Sequence, residues 1–230
     1  MSQETEISDN VTKSGTGGVV LPATDDYIEE AIAAVKAGKV IAVPTDTIYG
    51  FACDACSVQA VNQIYEIKRR NLTSPLAICV ADVSDIPRFA MVDYLPCGLL
   101  ESLLPGPVTV VLRRGETSHL EKSLNPGLDS IGVRVPNYDF VRCIARGSES
   151  ALALTSANLS GEPSSAGTKD FEHLWRSCSY VFDGGLLPAG CAGSTVVDLT
   201  TLGKYKILRP GSALEETTAA LLRFSIEEAS

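Results

Sequence analysis

Histidine, tryptophan and methionine are scarce here: the 230 residues hold two His, one Trp and two Met. His119 and His173 both sit in polar or charged surroundings, and no GxSxG turn occurs, so a Ser-His-Asp triad has little to be built from. Neither the GxxxxGK[ST] phosphate loop nor the GxGxxG fingerprint is present, so any nucleotide must be held by another arrangement. No apolar run approaches the roughly 18 residues needed to span a bilayer. Positive charge is in deficit as well: 19 Lys and Arg against 28 Asp and Glu give a net charge of −9. That balance disfavours broad binding to nucleic acid or an anionic membrane, while leaving room for a local basic groove.

What is present points to a folded α/β body. Hydrophobic residues make up 45% of the chain but aromatics only 6%, so aliphatic side chains must fill the core. The seven cysteines are odd in number and spread through apolar segments, which fits reduced thiols in an intracellular compartment. Cys53 and Cys56 form a lone CxxC with no second pair at ligand spacing, and read as buried thiols. The opening MSQETEISDN is acidic and polar, resembling neither a secretory signal nor an Arg-rich presequence. The expected organisation is a disordered acidic tail over 1–22, a catalytic domain over 23–213, and a C-terminal helix and tail over 214–230.

Periodicity supplies the elements in order. From Thr24, a candidate N-cap, the spacing of Ile28, Ala31, Ile32 and Val35 predicts a helix closed by Gly38. A buried strand over 40–43 ends at Pro44 and delivers Thr45, Asp46 and Thr47. Ser57 caps a helix carrying Val61, Ile64, Tyr65 and Lys68 on one face. Strands follow over 76–80, 108–112, 131–135, 151–154, 180–182, 195–199 and 205–208, and helices over 84–91, 97–104, 140–145, 170–175 and 215–224. Several late strands lack the crossover helices that a purely parallel sheet needs, so the sheet is expected to be mixed.

The chemistry gathers at predicted strand ends. Residues 65–76 place Lys68, Arg69 and Arg70 at the end of an amphipathic helix, followed by Asn71, Thr73 and Ser74 and then Pro75. Cations beside hydroxyls suit phosphate, although a charged helix end stabilised by the macrodipole is the plainer reading. Residues 44–50 allow the same choice between a ligand edge and a Ser/Thr turn. The wider polar set is Thr45, Thr47, Lys68, Arg70, Ser74, Thr109, Arg113, Ser156, Asn158, Ser194 and Arg209. It offers no strong base or nucleophile. Reactions that need orientation and charge neutralisation match it: phosphoryl or nucleotidyl transfer from ATP with Mg²⁺.

The order of motifs resembles the YrdC family over residues 25–213. The motifs are Pro44-Thr45-Asp46-Thr47-Ile48-Tyr49-Gly50, Lys68-Arg69-Arg70 with Pro75-Leu76, Leu104-Pro105-Gly106-Pro107-Val108-Thr109, Val133-Arg134-Val135-Pro136, Ser156-Ala157-Asn158-Leu159-Ser160-Gly161, Gly193-Ser194-Thr195 and Leu208-Arg209-Pro210-Gly211. The resemblance, to the short vertebrate-like form, implies a single-domain twisted mixed sheet with flanking helices and a large concave basic cavity. It implies an L-threonylcarbamoyladenylate synthase that uses L-threonine, bicarbonate and ATP with Mg²⁺ for t6A formation at position 37 of tRNA. By motif, Lys68, Arg70, Ser156 and Asn158 match the family's polar tetrad. Arg70, Ser74, Thr109, Ser156, Ser164 and Arg209 fall where ATP is held, and Thr47, Arg113, Leu154 and Ser194 where threonine is held. No protein side chain is assigned to a metal. Cys79 stands where some relatives have His.

The same resemblance implies a monomer in the cytoplasm, with a mitochondrial pool, that hands its product to a tRNA threonylcarbamoyl transferase complex of KEOPS type or its mitochondrial counterpart. Weak tRNA binding is a further expectation. The alternative function is a double-stranded RNA or tRNA-binding module without its own catalysis; a second is the carbamoyl-transfer chemistry of hydrogenase-maturation proteins, which carry acylphosphatase and zinc-finger regions.

Overall fold

The computed structural model describes residues 18–69, 75–115, 118–188 and 192–229. Along the chain come β1 (Val19–Pro22), α1 (Ile28–Lys36), β2 (Ile41–Val43), β3 (Gly50–Asp54), α2 (Val58–Lys68) and β4 (Ala77–Cys79). Next are α3 (Leu99–Leu103), β5 (Val108–Arg113), β6 (Ser130–Arg134), α4 (Asp139–Ser148) and β7 (Leu152–Ser156). The chain closes with β8 (Tyr180–Asp183), β9 (Thr195–Asp198), β10 (Lys204–Arg209), α5 (Leu214–Arg223) and β11 (Glu227–Glu228). One mixed sheet has the order β1-β8-β2-β3-β7-β4-β6-β5-β9-β10-β11, and the mixed strand directions expected from the sequence are present. The described helices include none long and apolar enough to cross a membrane.

Side-chain alternation along the central strands divides two unequal cores. On one face Phe51, Ile78, Val110, Val133 and Ala153 pack with Val61 and Ile64 of α2, Leu99 of α3 and Leu221 of α5. On the other, Ala52, Cys79, Leu152 and Leu154 pack with Ile32 and Val35 of α1 and Val141 and Ile144 of α4. Those two helices cover only part of their face. Beyond Leu154 the sheet carries Gly50, Ala77 and Gly132, paired with Ser156, Leu154 and Ala77 in turn. Residues this small leave the floor of a cavity open.

Several expectations need correction. Val19–Pro22, assigned to a disordered tail, pairs in parallel with Tyr180–Asp183; four residues beside a Gly-rich stretch give too short a pattern to read. Thr24 makes no side-chain cap bond, and a short 3-10 turn precedes α1. Strand β3 was not expected: it begins with glycine and pairs back on β2 across residues 44–49. The helices expected over 84–91 and 170–175 are 3-10 segments, Val83–Arg88 and Thr168–Ser177, the first holding Pro87, which cannot donate an α-helical bond. The C-terminal helix is present as expected and packs into the larger core, while Glu227–Glu228, expected as tail, extends the sheet.

Candidate active site

Helix α2 delivers the central cation. Ser57 caps it by accepting from the Ala60 N–H, and Arg69, in the left-handed region at φ 47°, ends it and turns outward. Lys68, the last helical residue, is thereby turned into the protein and is 2% exposed. Its ammonium donates to Ser156 O at 2.7 Å, Ser156 Oγ at 3.2 Å and Asn158 Oδ1 at 2.7 Å, all neutral acceptors. Ser156 Oγ donates to Asn158 Oδ1 at 2.6 Å. The Asn158 amide N–H₂ donates to the carbonyls of Glu162 and Pro163, which folds residues 158–163 over the end of β7.

A second cluster comes from β5, β6, β9 and β10. Thr109 Oγ1 and Ser194 Oγ lie 2.7 Å apart, and Arg209 donates to Ser194 O at 2.8 Å and to Ser194 Oγ at 3.1 Å. This approach depends on Gly211, where a Cβ would lie 2.3 Å from Ser194 C and Thr195 N. Arg134, buried at the end of β6, donates through Nη2 to Asp46 Oδ1 at 2.7 Å and to Thr47 Oγ1 at 3.1 Å. Thr45 Oγ1 donates to Ile48 O at 2.7 Å, so residues 45–48 form a hydroxyl turn as well as a cavity wall. The Ser/Thr-turn reading and the ligand-edge reading both hold for this stretch.

The two clusters face one cavity of about 310 Å³, within the range of small-molecule sites. Among the described residues its lining includes Lys68, Arg134 and Arg209 and no carboxylate. Burial, and then the nearby Arg134 charge, depress the Arg209 pKa. Burial also lowers that of Arg134, opposed by Asp46. Two guanidinium groups that repel each other across a cavity favour an anion between them.

The structure brings together Lys68, Thr109, Leu154, Ser156, Asn158, Ser194 and Arg209 as lining residues. Thr47 stands one contact behind, on Arg134. Arg70 and Ser74 lie outside the described residues. Arg113 and Ser164 do not reach the cavity. The antiparallel register sets Val110 against Val133 and Arg113 against Ser130, so Arg113 is at the opposite end of the strand pair from Arg134. It is exposed, donates to Thr200 O and lies over the Tyr94 ring. Ser164 is exposed, while Ser165 turns inward to donate to Ala157 O.

Arg134 and Asp46 stand in stretches that the sequence reading singled out, but it gave neither a place among the site residues. A charge inside Ile131-Gly132-Val133-Arg134-Val135 was the available signal, because a buried cation in an apolar strand needs a partner. Cys79 is buried in the smaller core opposite Arg134, its thiol pushed up to about 12, chiefly by burial. Burial likewise raises the Cys53 thiol.

A family model named for Sua5, YciO and YrdC and described as "Telomere recombination" matches residues 33–211. The threonylcarbamoyl-AMP synthase of Bos taurus is 43% identical over 221 residues, which cover 93% of this chain and 79% of that protein. The Homo sapiens protein of the same name is 47% identical over 201 residues, 85% of this chain and 71% of that one. The structure of P. abyssi Sua5 complexed with L-threonine matches 91% of this chain with a TM-score of 0.80 at 29% identity. The match spans 61% of that protein's length.

Proposed function

The chain belongs to the Sua5/YciO/YrdC family, and on that premise we propose that it is an L-threonylcarbamoyladenylate synthase. This nucleotidyltransferase makes threonylcarbamoyl-AMP and pyrophosphate from L-threonine, bicarbonate and ATP, and so supplies t6A modification of tRNA. The observation that carries the reading is the cavity in which Lys68, Arg134 and Arg209 meet hydroxyls and an amide with no lining carboxylate among the described residues. A site of that composition favours a substrate set rich in negative charge. The names of the relatives and the threonine-bound neighbour support the amino acid.

MgATP enters as a metal-nucleotide substrate, with the ion on phosphate oxygens and water, its usual ligands. Lys68 and Arg209 neutralise the phosphates, joined by Arg70, and Ser74 and Thr109 add hydroxyl donors. Ser156 and Asn158 orient the α-phosphate. Arg134 takes the place that the sequence reading gave to Arg113 and meets the amino-acid carboxylate, with Thr47 and Asp46 holding its guanidinium and Ser194 nearby. The free threonine amine attacks the carbon of CO₂, releasing one proton to solvent, or that of bicarbonate, where the amine proton leaves with the hydroxyl as water; either route gives the carbamate. A carbamate oxygen then attacks the α-phosphorus while its bond to pyrophosphate breaks. Catalysis by this chain is orientation and charge stabilisation rather than proton abstraction. The product passes in the cytoplasm to a separate tRNA threonylcarbamoyl transferase.

The test is pyrophosphate release from MgATP and bicarbonate with L-threonine, L-serine or no amino acid. Threonine-dependent release is expected, with serine poorer because one missing methyl is worth only about 1–3 kcal/mol. Folded protein that releases none and instead shows salt-sensitive RNA binding overturns the reading in favour of an RNA-binding module.

A further inference from the structure

Asn125 lies in the loop before β6 and touches no part of the cavity lining, yet its side chain is among the most constrained polar groups of the fold. It is 2% exposed and its backbone is left-handed at φ 58°. Oδ1 accepts from the Leu76 N–H at 2.6 Å, and Nδ2 donates to Leu76 O at 2.8 Å. The amide thus does for Leu76 what a neighbouring strand does one residue later, where Ala77 enters the sheet opposite Gly132 and Leu154. The same residue also reaches α2. Its backbone N–H donates to Tyr65 Oη at 3.4 Å, and that hydroxyl donates back to Oδ1 at 3.5 Å.

Tyr65 is three residues before Lys68, and Leu76 immediately follows Pro75; both Lys68 and Pro75 line the cavity. We propose that Asn125 is a positioning residue for the nucleotide half of the site. By tying α2 to the entry of β4, its amide fixes the separation of Lys68 and Pro75. Leu76 N–H and C=O are buried with the amide as their partner, so losing it frees this entry to move. On the amino-acid side Arg134 is held by Asp46 and Thr47, and Ser194 by Thr109, whereas the Asn125 amide holds Leu76, so the larger effect falls on the nucleotide. The inference rests on the reading of the cavity as an ATP and amino-acid site.

Asn125→Gly tests it, because glycine accepts the left-handed backbone and removes only the amide. The expected result is a folded protein whose KM for MgATP rises about tenfold, the equivalent of one lost buried hydrogen bond, while KM for threonine is unchanged. Asn125→Asp keeps the acceptor but sets a carboxylate against Leu76 O, and should raise KM for MgATP at least as much. Tyr65→Phe keeps the Leu76 pair and loses the tie to α2, and should raise it by less. A lower melting temperature with unchanged kinetics in Asn125→Gly makes the residue merely structural and overturns the proposal. If that variant does not fold, unaltered MgATP kinetics in the other two overturn it. Wild-type protein that releases no pyrophosphate with any amino acid sinks the functional reading instead, and the variants are not needed to see it.

Discussion

Replacing Lys68 by Met separates catalysis from folding. The substitution keeps a flexible apolar stem in the core and removes three donor contacts. Asn158 Oδ1 keeps the Ser156 hydroxyl as donor at 2.6 Å, Ser156 O keeps the Asn158 N–H at 3.0 Å, and Ser156 Oγ keeps its own bond as donor to Asn158 Oδ1. None of these three groups is left without a hydrogen bond, so the loss of stability should sit near that of a single broken hydrogen bond, about 1 kcal/mol. For a chain of this size that lowers the melting temperature by about 2–4 °C. The rate is expected to suffer far more, since removing one donor to developing transition-state charge costs about 10²–10³ in kcat. Threonine-dependent pyrophosphate release beside a thermal melt measures both. Activity within a few-fold of wild type would refute the role of the ammonium in neutralising phosphate, and a collapsed melt would show that Lys68 serves mainly to hold Ser156 and Asn158.

Arg113→Ala should change kcat/KM by no more than the equivalent of about 0.5 kcal/mol, as for surface substitutions away from a site. The pair Arg134→Met with Asp46→Asn, which leaves no unpaired buried charge, should raise KM for threonine sharply in a folded protein; steady-state kinetics of the two compare the arginines directly. Gly211→Ala should lower the urea midpoint and the activity together, because its Cβ meets backbone at 2.3 Å rather than a side chain that can swing away. Asp82 is held below the ordinary carboxylate range, first by the hydrogen bond from Arg146 and then by Arg142. A carboxyl depressed on folding contributes stability above its unfolded pKa and loses it as pH falls through the folded value. Asp82→Asn should therefore cost at most about 1 kcal/mol at neutral pH, as befits a half-exposed pair, and the gap from wild type in thermal melts should close below about pH 4.

How legible the site was in the sequence depends on what each residue had to be recognised by. Ser156, Asn158, Ser194 and Arg209 stand at or beside the ends of strands whose apolar runs are plain, so polar side chains there marked an edge. Lys68 was marked by the helix face it closes, and its burial follows from Arg69 taking the left-handed turn. The choice between Arg113 and Arg134 was not available. Each ends a strand, and only the antiparallel pairing of β5 with β6 decides which end faces the cavity. Ser164 and Ser165 differ by one residue in a loop without periodicity, and the backbone bond from Tyr49 N–H to Ser165 O decides which turns inward. The openness of the cavity is a sheet-level property: Gly50 and Ala77 line it and are far apart in sequence, and Gly132, paired with Ala77, leaves room for the Thr109 side chain only through register. Asn125 gives no sequence signal beyond preceding a Pro-Gly turn, since its amide's partners are the Leu76 backbone, 49 residues away, and the Tyr65 hydroxyl, 60 residues away.

The most direct measurement is the mass of the adenylate formed from L-threonine, MgATP and ¹³C-labelled bicarbonate. Threonylcarbamoyl-AMP carrying the labelled carbon is expected, released with pyrophosphate and lost when Lys68 becomes Met. An unlabelled adenylate, or ADP and phosphate in place of pyrophosphate, would contradict attack of a carbamate on the α-phosphorus in this cavity.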